Sequence, residues 1–164
     1  MAALTSASLA SVHYEYGDLA GRITISNQQK IIPYDIQKYI SLTKDILSEE
    51  TIRILNAYDW MKVIQPQRDF LISFFGCKTL QKSYLLKTKK QQICEPIQFM
   101  WLRVSIGIHG DNFNDIKNTY DFMSQLYCTH ATPTLFHAGT KRPQLLSCFL
   151  MGIEDSVSGI FKAL

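Results

Sequence analysis

The sequence lacks the features that mark secreted, metal-binding or membrane-spanning proteins. Its four cysteines include no pair separated by two residues, so their spacing favours neither a zinc site nor a disulfide-stapled domain. The longest apolar runs, 70–75 and 145–151, are far shorter than the roughly 20 residues of a transmembrane helix. These absences predict a cytoplasmic protein with no metal site and no membrane contact.

Positive charge is also scarce, above all near the N-terminus. No Lys or Arg precedes Arg22, so the chain begins with neither the charged region of a signal peptide nor the arginines of a transit peptide. The formal charge of +3 is too small and too scattered to indicate a nucleic-acid surface. Lys87, Lys89 and Lys90 form a basic cluster, for which a solvated hairpin turn is a better explanation than a phosphate site.

Apolar residues recur at helical spacing through most of the chain. The pattern predicts helices over 1–30, with a turn near Tyr16–Gly17, and over 36–61. Pro96 favours the start of a core helix that Gly110 ends, and Asp111 is the expected cap of the next helix. Short apolar runs on both sides of the lysine cluster predict a β-hairpin between these helices.

Beyond Ala131 the pattern changes to a polar loop with two prolines, followed by the apolar run 145–150. This run is the best β-strand candidate in the chain, and it carries Cys148 directly after Ser147. A helix is expected to begin near Val157, because the two residues before it have side-chain oxygens that suit an N-cap.

Four segments, in order, resemble the large subunit of aerobic (class I) ribonucleotide reductase. Residues 130–149 are similar to the motif HASPTLFNAGT followed by RPQLSSCF, which opens that family's catalytic barrel. Residues 14–27, 68–86 and 103–109 resemble the family's HPDYALLAARIAVSN, RDF with FGFKTLERSYLL, and MRVSVGIH. The resemblance is weak only around residues 28–65.

The resemblance implies a mainly α-helical N-terminal domain with a short β-hairpin, followed by the first strand of a ten-stranded α/β barrel. Residues 1–30 then correspond to the remnant of the last ATP-cone helix and the helix that follows it. Residues 31–140 correspond to the helical domain, and residues 141–164 to the start of the catalytic barrel. The chain is expected to be an N-terminal fragment that lacks the radical-carrying cysteine.

The implied activity is reduction of ribonucleoside diphosphates to deoxyribonucleoside diphosphates for DNA synthesis. The family uses a radical from a metal-bearing small subunit, together with a dithiol that supplies two electrons. No cofactor is implied within this chain. The implied partners are the small subunit, a second large subunit, and thioredoxin or glutaredoxin, with deoxyribonucleoside triphosphates and ATP as allosteric effectors.

Three residues near the barrel start match positions of the family's active site. Cys148 matches the first redox-active cysteine, whose partner thiol lies outside this chain. Thr132 and Ser147 match two substrate-binding positions, where hydroxyls suit phosphate or ribose oxygens. Residue type alone allows another interpretation. Cys148 would be a small buried side chain in the core, and the two hydroxyls would only hydrogen-bond backbone groups.

The start of the last helix matches the family's effector site. The residues are Asp155, Ser156 and Val157, although an ordinary N-cap would have the same sequence. The other thiols, Cys77, Cys94 and Cys128, are expected to be structural. His137 replaces the family's usual Asn, which changes local hydrogen bonding in the loop.

Two other identities stay open. An inactive truncated paralogue or fragment, acting at most as a binding module, would explain the missing radical cysteine. A cobalamin-dependent class II relative would share the barrel but matches less well around residues 75–86. The coding sequence beyond Leu164 would distinguish an enzyme from a fragment.

Overall fold

The computed structural model describes all 164 residues and is mainly α-helical, as the sequence predicts. None of its helices combines the length and hydropathy that a membrane span requires. Two 3₁₀ segments, Trp60–Lys62 and Pro66–Leu71, and the π-helical Leu80–Tyr84 join some of the α-helices. The α-helices are α1 (Ala2–Ser8), α2 (Glu15–Ile31), α3 (Ile36–Thr43), α4 (Glu49–Ala57), α5 (Phe74–Thr79), α6 (Ile97–His109), α7 (Phe113–Ser124), α8 (Thr132–His137) and α9 (Val157–Ala163).

Helix α6 is the centre of the core. Every residue from Ile97 to Ile106 is buried, which is typical of a helix surrounded by other elements. Helix α7 packs along it through Ile116, Tyr120 and Met123, the inward face that the sequence spacing predicts. Helix α6 is therefore the scaffold against which α4, α7, α8 and Pro66–Leu71 are positioned.

Helix α6 ends where the sequence predicts, but the N-cap of α7 lies one residue later than predicted. Gly110 ends α6 with a φ of 57°, a backbone angle that glycine adopts without strain. The cap of α7 is Asn112, whose side chain accepts a hydrogen bond from the Asp115 N–H at 3.3 Å. The prediction of Asp111 is wrong, because its carboxylate instead pairs with Arg53 at 2.9 Å.

The turn expected at Tyr16–Gly17 lies earlier, in residues 9–14, and α2 continues through Gly17. One glycine costs a helix only about 1 kcal/mol, so it does not end a helix that other contacts stabilise. A Cβ added at Gly17 would lie 3.6 Å from the Ala10 Cβ, so this glycine lies against the turn that precedes α2.

Neither expected β-element forms a strand. In place of the hairpin there is one antiparallel bridge between Lys87 and Ile93. Beside it, the Cys94 N–H donates a hydrogen bond to the Leu86 carbonyl at 3.0 Å. The segment 145–150 is exposed except for Leu145 and forms no ladder. A strand needs a neighbouring strand for its backbone hydrogen bonds, and no other strand lies beside either segment.

Residues 132–137, expected to be loop, form helix α8 instead. Pro133 lies in its first turn, where a missing N–H costs no helical hydrogen bond. The loop prediction is wrong here because a proline is compatible with both a loop and the first turn of a helix.

The chain after α8 is fixed between α6 and the start of α4. A Cβ added at Gly107 would lie 2.1 Å from the Gly139 nitrogen, so the two backbones touch where both residues lack side chains. The Gly139 carbonyl accepts from the Ser48 N–H at 3.1 Å, and the Lys141 N–H donates to the Ile46 carbonyl at 2.9 Å. These contacts hold the C-terminal end of α8 in place.

Replacing Ser48 with alanine is expected to lower the free energy of unfolding by about 1 kcal/mol. The Ser48 Oγ caps α4 by accepting from the Thr51 N–H at 3.1 Å, and alanine offers no acceptor. Ser41→Ala is the matched control, because that exposed hydroxyl bonds only the Lys38 carbonyl of its own helix. Urea unfolding followed by circular dichroism would measure both variants, and equal losses would contradict the cap.

Candidate functional site

A surface cavity of about 650 Å³ lies at the start of α8. It is open to the surface and is lined by Trp101 of α6 and by residues within 71–84 and 126–135. Thr132, the first residue of α8, lines it, and the Thr132 hydroxyl lies 3.1 Å from the hydroxyl of Tyr84. The Tyr84 ring packs against Phe136, with ring centroids 4.8 Å apart. One predicted substrate contact is therefore held at the rim of a cavity.

The other end of α8 is held by Arg103 of α6. Its Nη1 donates to the Ala138 carbonyl at 2.7 Å and its Nη2 to the Leu135 carbonyl at 3.1 Å. The last carbonyls of a helix have no partners within the helix, so a buried guanidinium satisfies them and favours their partial negative charge. Arg103 thus fixes the position of α8 relative to the core.

Glu95 neutralises this buried arginine. Its two oxygens accept from the Arg103 Nε and Nη2 at 2.8 and 3.2 Å, and both side chains are fully buried. Glu95 also accepts from the Tyr39 hydroxyl at 2.6 Å and from the Leu86 N–H at 3.1 Å. Burial opposes the arginine's charge, but the neighbouring carboxylate raises the pKa of Arg103. The pair joins α3, the segment before α6, and α8.

A second buried carboxylate, Asp69, supports the wall of the cavity. It accepts hydrogen bonds from Gln29 at 2.8 Å, from Gln98 at 2.7 Å and from the Tyr34 hydroxyl. Burial raises the pKa of Asp69, although these hydrogen bonds act in the opposite direction. Gln98 in turn accepts from the Tyr120 hydroxyl at 2.8 Å. The network fastens Pro66–Leu71 to α2, α6 and α7.

Ser147 and Cys148 lie on the exposed chain that follows α8. Their hydroxyl and thiol are 3.7 Å apart, and no hydrogen bond joins either to Thr132. The chain before them is tied to α8, because Thr134 donates to the Leu145 carbonyl at 3.3 Å and His137 contacts the Gln144 carbonyl at 3.0 Å. The structure therefore places these two candidates beside α8 without assembling one site from all three.

None of the four cysteines forms a disulfide. Of the three other than Cys148, two are buried and one is exposed. Cys77 and Cys94 are buried, and burial raises the pKa of each to about 11. Such thiols stay protonated, which agrees with the structural role expected for them. Cys128 is exposed on the surface after α7, and its expected lack of a catalytic role stays a prediction.

The predicted effector residues lie at the start of α9, and all three are exposed. The Ser156 hydroxyl accepts from the Gly159 N–H at 3.0 Å, as expected for an N-cap. Asp155 and Val157 flank this cap on the surface. No cluster of three or more His, Cys, Asp or Glu side chains with the geometry to hold a metal ion occurs in the chain.

The sequence reading missed the buried charged residues that support the site. Arg103 is the one Lys, Arg, Asp or Glu in the mainly apolar helix α6, and that isolation is a usable signal. A charge in such a position requires a partner, because an unpaired buried charge is very costly. No equivalent signal in the sequence identifies Glu95, because its pairing with Arg103 depends on the conformation of the segment before α6.

Sequence comparisons relate this chain to one group of known proteins. Residues 70–143 match the family described as "Ribonucleotide reductase, all-alpha domain". The chain is 42% identical over 178 residues to the ribonucleoside-diphosphate reductase large subunit of Caenorhabditis elegans, 40% to that of Danio rerio and 39% to that of Trypanosoma brucei brucei. The matches cover 100%, 100% and 98% of this chain but only 22%, 22% and 21% of those proteins. The chain thus spans about a fifth of the length of the relatives it matches.

Proposed function

Because this chain belongs to the family of ribonucleoside-diphosphate reductase large subunits, we propose that it serves in the reduction of ribonucleoside diphosphates to deoxyribonucleoside diphosphates. The observation that carries the proposal is about 40% identity along essentially the whole chain to large subunits from a worm and a fish. The buried Glu95–Arg103 pair supports it, because Arg103 fixes α8, the helix that begins with Thr132.

In this proposal Cys148 is half of the reductant. Its exposed thiol and a second thiol from outside this chain close into a disulfide, giving up two electrons and two protons. The ribose 2′-hydroxyl leaves as water, and a hydrogen takes its place on the carbon. Thioredoxin or glutaredoxin then reduces the disulfide. A small subunit with a metal-radical cofactor supplies the radical that starts each cycle.

Thr132 and Ser147 are the proposed substrate contacts, with hydroxyls that suit phosphate or ribose oxygens. Support for Thr132 comes from its place on the cavity rim, where the Tyr84 hydroxyl orients it. Asp155, Ser156 and Val157 are proposed to contact a deoxyribonucleoside triphosphate effector between two large subunits. Their exposure at the start of α9 is compatible with that role.

The domain assignment is also proposed on this basis. Residues 1–30 are assigned to the end of an ATP-cone and the following helix, 31–140 to the helical domain, and 141–164 to the barrel start. Within a complete barrel, 145–150 would pair with neighbouring strands and bury the side chains that are exposed here. Those include Leu146, Phe149 and Leu150, which are 64%, 70% and 105% exposed.

A chimera tests the function: in the Caenorhabditis elegans large subunit, this chain replaces the matching N-terminal segment. With that enzyme's small subunit and thioredoxin, we expect cytidine diphosphate reduction within about tenfold of the parent, a loss of about 1.4 kcal/mol in transition-state stabilisation. The 164-residue chain alone should give no turnover, because Cys148 has no second thiol beside it. A chimera that folds and dimerises like the parent but is inactive would contradict the proposal.

A further inference from the structure

We propose that Thr134 and His137 of α8 are positioning residues for Cys148, because their side chains hold the chain that leads to this thiol. The proposal deepens the proposed function and rests on it, since it assigns both residues to the reductant segment of that reaction. It follows from hydrogen bonds to consecutive backbone carbonyls before Ser147 and from the lack of backbone–backbone hydrogen bonds in the same stretch.

The last three carbonyls before the two candidate residues each accept a hydrogen bond from a side chain. His137 Nδ1 lies 3.0 Å from the Gln144 carbonyl oxygen, and the Thr134 hydroxyl donates to the Leu145 carbonyl at 3.3 Å. The Gln144 amide nitrogen donates to the Leu146 carbonyl at 3.0 Å. Thr134 and His137 are three positions apart, so they share one face of α8. A carbonyl oxygen has two lone pairs, so pairing with a barrel strand would leave room for these bonds.

Few other contacts hold this stretch of chain. Residues 145–153 take part in no backbone–backbone hydrogen bond. Leu145 packs against the hydrophobic core, but the residues that follow it are exposed. A backbone without such contacts has many conformations open to it, and each of them lowers the population of the reactive one. The two bonds from α8, together with Leu145, therefore set where the chain enters the segment that carries the thiol.

The contact of His137 is a specific hydrogen bond and can be tested as one. A carbonyl oxygen only accepts, so the hydrogen of this bond must lie on Nδ1 of the ring. Asparagine has an amide nitrogen at about the same distance from the backbone and can donate to the same carbonyl. Phenylalanine keeps a ring of similar size but has no donor. These two replacements therefore separate the hydrogen bond from the volume of the side chain.

NMR on the 164-residue chain tests the contact without an assay of activity. At about pH 8, above the range in which histidine normally titrates, we expect the His137 ring to carry its hydrogen on Nδ1. In His137→Phe the Cys148 amide should gain fast backbone motion, and His137→Asn should restore the order of the unmodified chain. A hydrogen on Nε2 alone, or an equally ordered Cys148 amide in His137→Phe, would overturn the proposal.

Turnover of the chimeric large subunit tests the consequence for the thiol. His137→Phe should lower kcat for cytidine diphosphate roughly tenfold, because a displaced thiol reaches its partner in fewer molecules. KM should rise no more than about twofold, since the contact proposed for Thr132 stays in place. His137→Asn should restore kcat, and Thr134→Val should cause a smaller loss than His137→Phe because its bond is longer. His109→Phe is the matched control, because that ring instead contacts the Thr119 hydroxyl, at 2.7 Å.

The outcomes distinguish this proposal from the proposed function. An inactive unmodified chimera would refute the proposed function, while the NMR measurements would still decide whether α8 holds the chain. In an active chimera, an unchanged kcat for His137→Phe would overturn the positioning role. A loss that His137→Asn does not restore, or an equal loss in His109→Phe, would also overturn it.

Discussion

Replacement of Arg103 with methionine is expected to lower the free energy of unfolding by about 3–5 kcal/mol. Methionine keeps much of the length and apolar character of the side chain but removes the charge and all donors. Glu95 would then be buried without a cation, and the Leu135 and Ala138 carbonyls would lose their partners. Because a typical domain is stable by only about 5–15 kcal/mol, this loss would leave the chain marginally folded.

Two further variants distinguish the buried pair from a general effect of removing arginine. Arg53→Met breaks the exposed pair with Asp111 and should cost far less stability than Arg103→Met, because solvent screens exposed ion pairs. The double variant Glu95→Leu with Arg103→Met should be more stable than Arg103→Met alone, because it leaves no buried charge unpaired. Urea unfolding followed by circular dichroism measures all three. A loss for Arg103→Met no larger than that for Arg53→Met would refute the importance of the buried pair.

Replacement of Cys148 with serine is expected to abolish thioredoxin-driven turnover in the chimeric large subunit, by about a thousandfold or more. Serine keeps the shape of the segment, but a hydroxyl cannot form the disulfide that supplies two electrons. Binding of substrate and effector should change by less than about 1 kcal/mol, because the swap removes little volume and the proposed nucleotide contacts lie at other residues.

Cys128→Ser is the matched control for this variant, because Cys128 is the other exposed thiol. It should leave turnover near that of the unmodified chimera. Parallel assays of cytidine diphosphate reduction and of nucleotide binding would compare the two proteins. Sustained turnover by Cys148→Ser together with loss in Cys128→Ser would show that the redox role was assigned to the wrong cysteine.

Much of the helical architecture could be predicted from local patterns. The inward face of α7, the end of α6 at Gly110 and the cap of α9 at Ser156 each depend on residues a few positions apart. Such features are set by helical periodicity and by the backbone angles that a residue allows. The same local pattern was misleading at α8, because proline is compatible with both a loop and the first turn of a helix.

The apolar run 145–150 shows the limit of strand prediction. Its side chains suit a buried strand, but its backbone pairs with no other strand in this chain. Whether such a run becomes a strand depends on neighbours that a local pattern does not describe. Its proposed place in a barrel therefore comes from the family resemblance and not from periodicity.

Residue types and their order alone were enough to indicate the family and the candidate positions Thr132, Ser147 and Cys148. The tertiary structure decided what fixes α8, the helix that begins with Thr132. It brings Glu95, Arg103 and the last carbonyls of that helix together. It also decided which thiols are exposed. The physical reason is that burial and the pairing of charges depend on contacts between distant segments, which exist only after the chain has folded around α6.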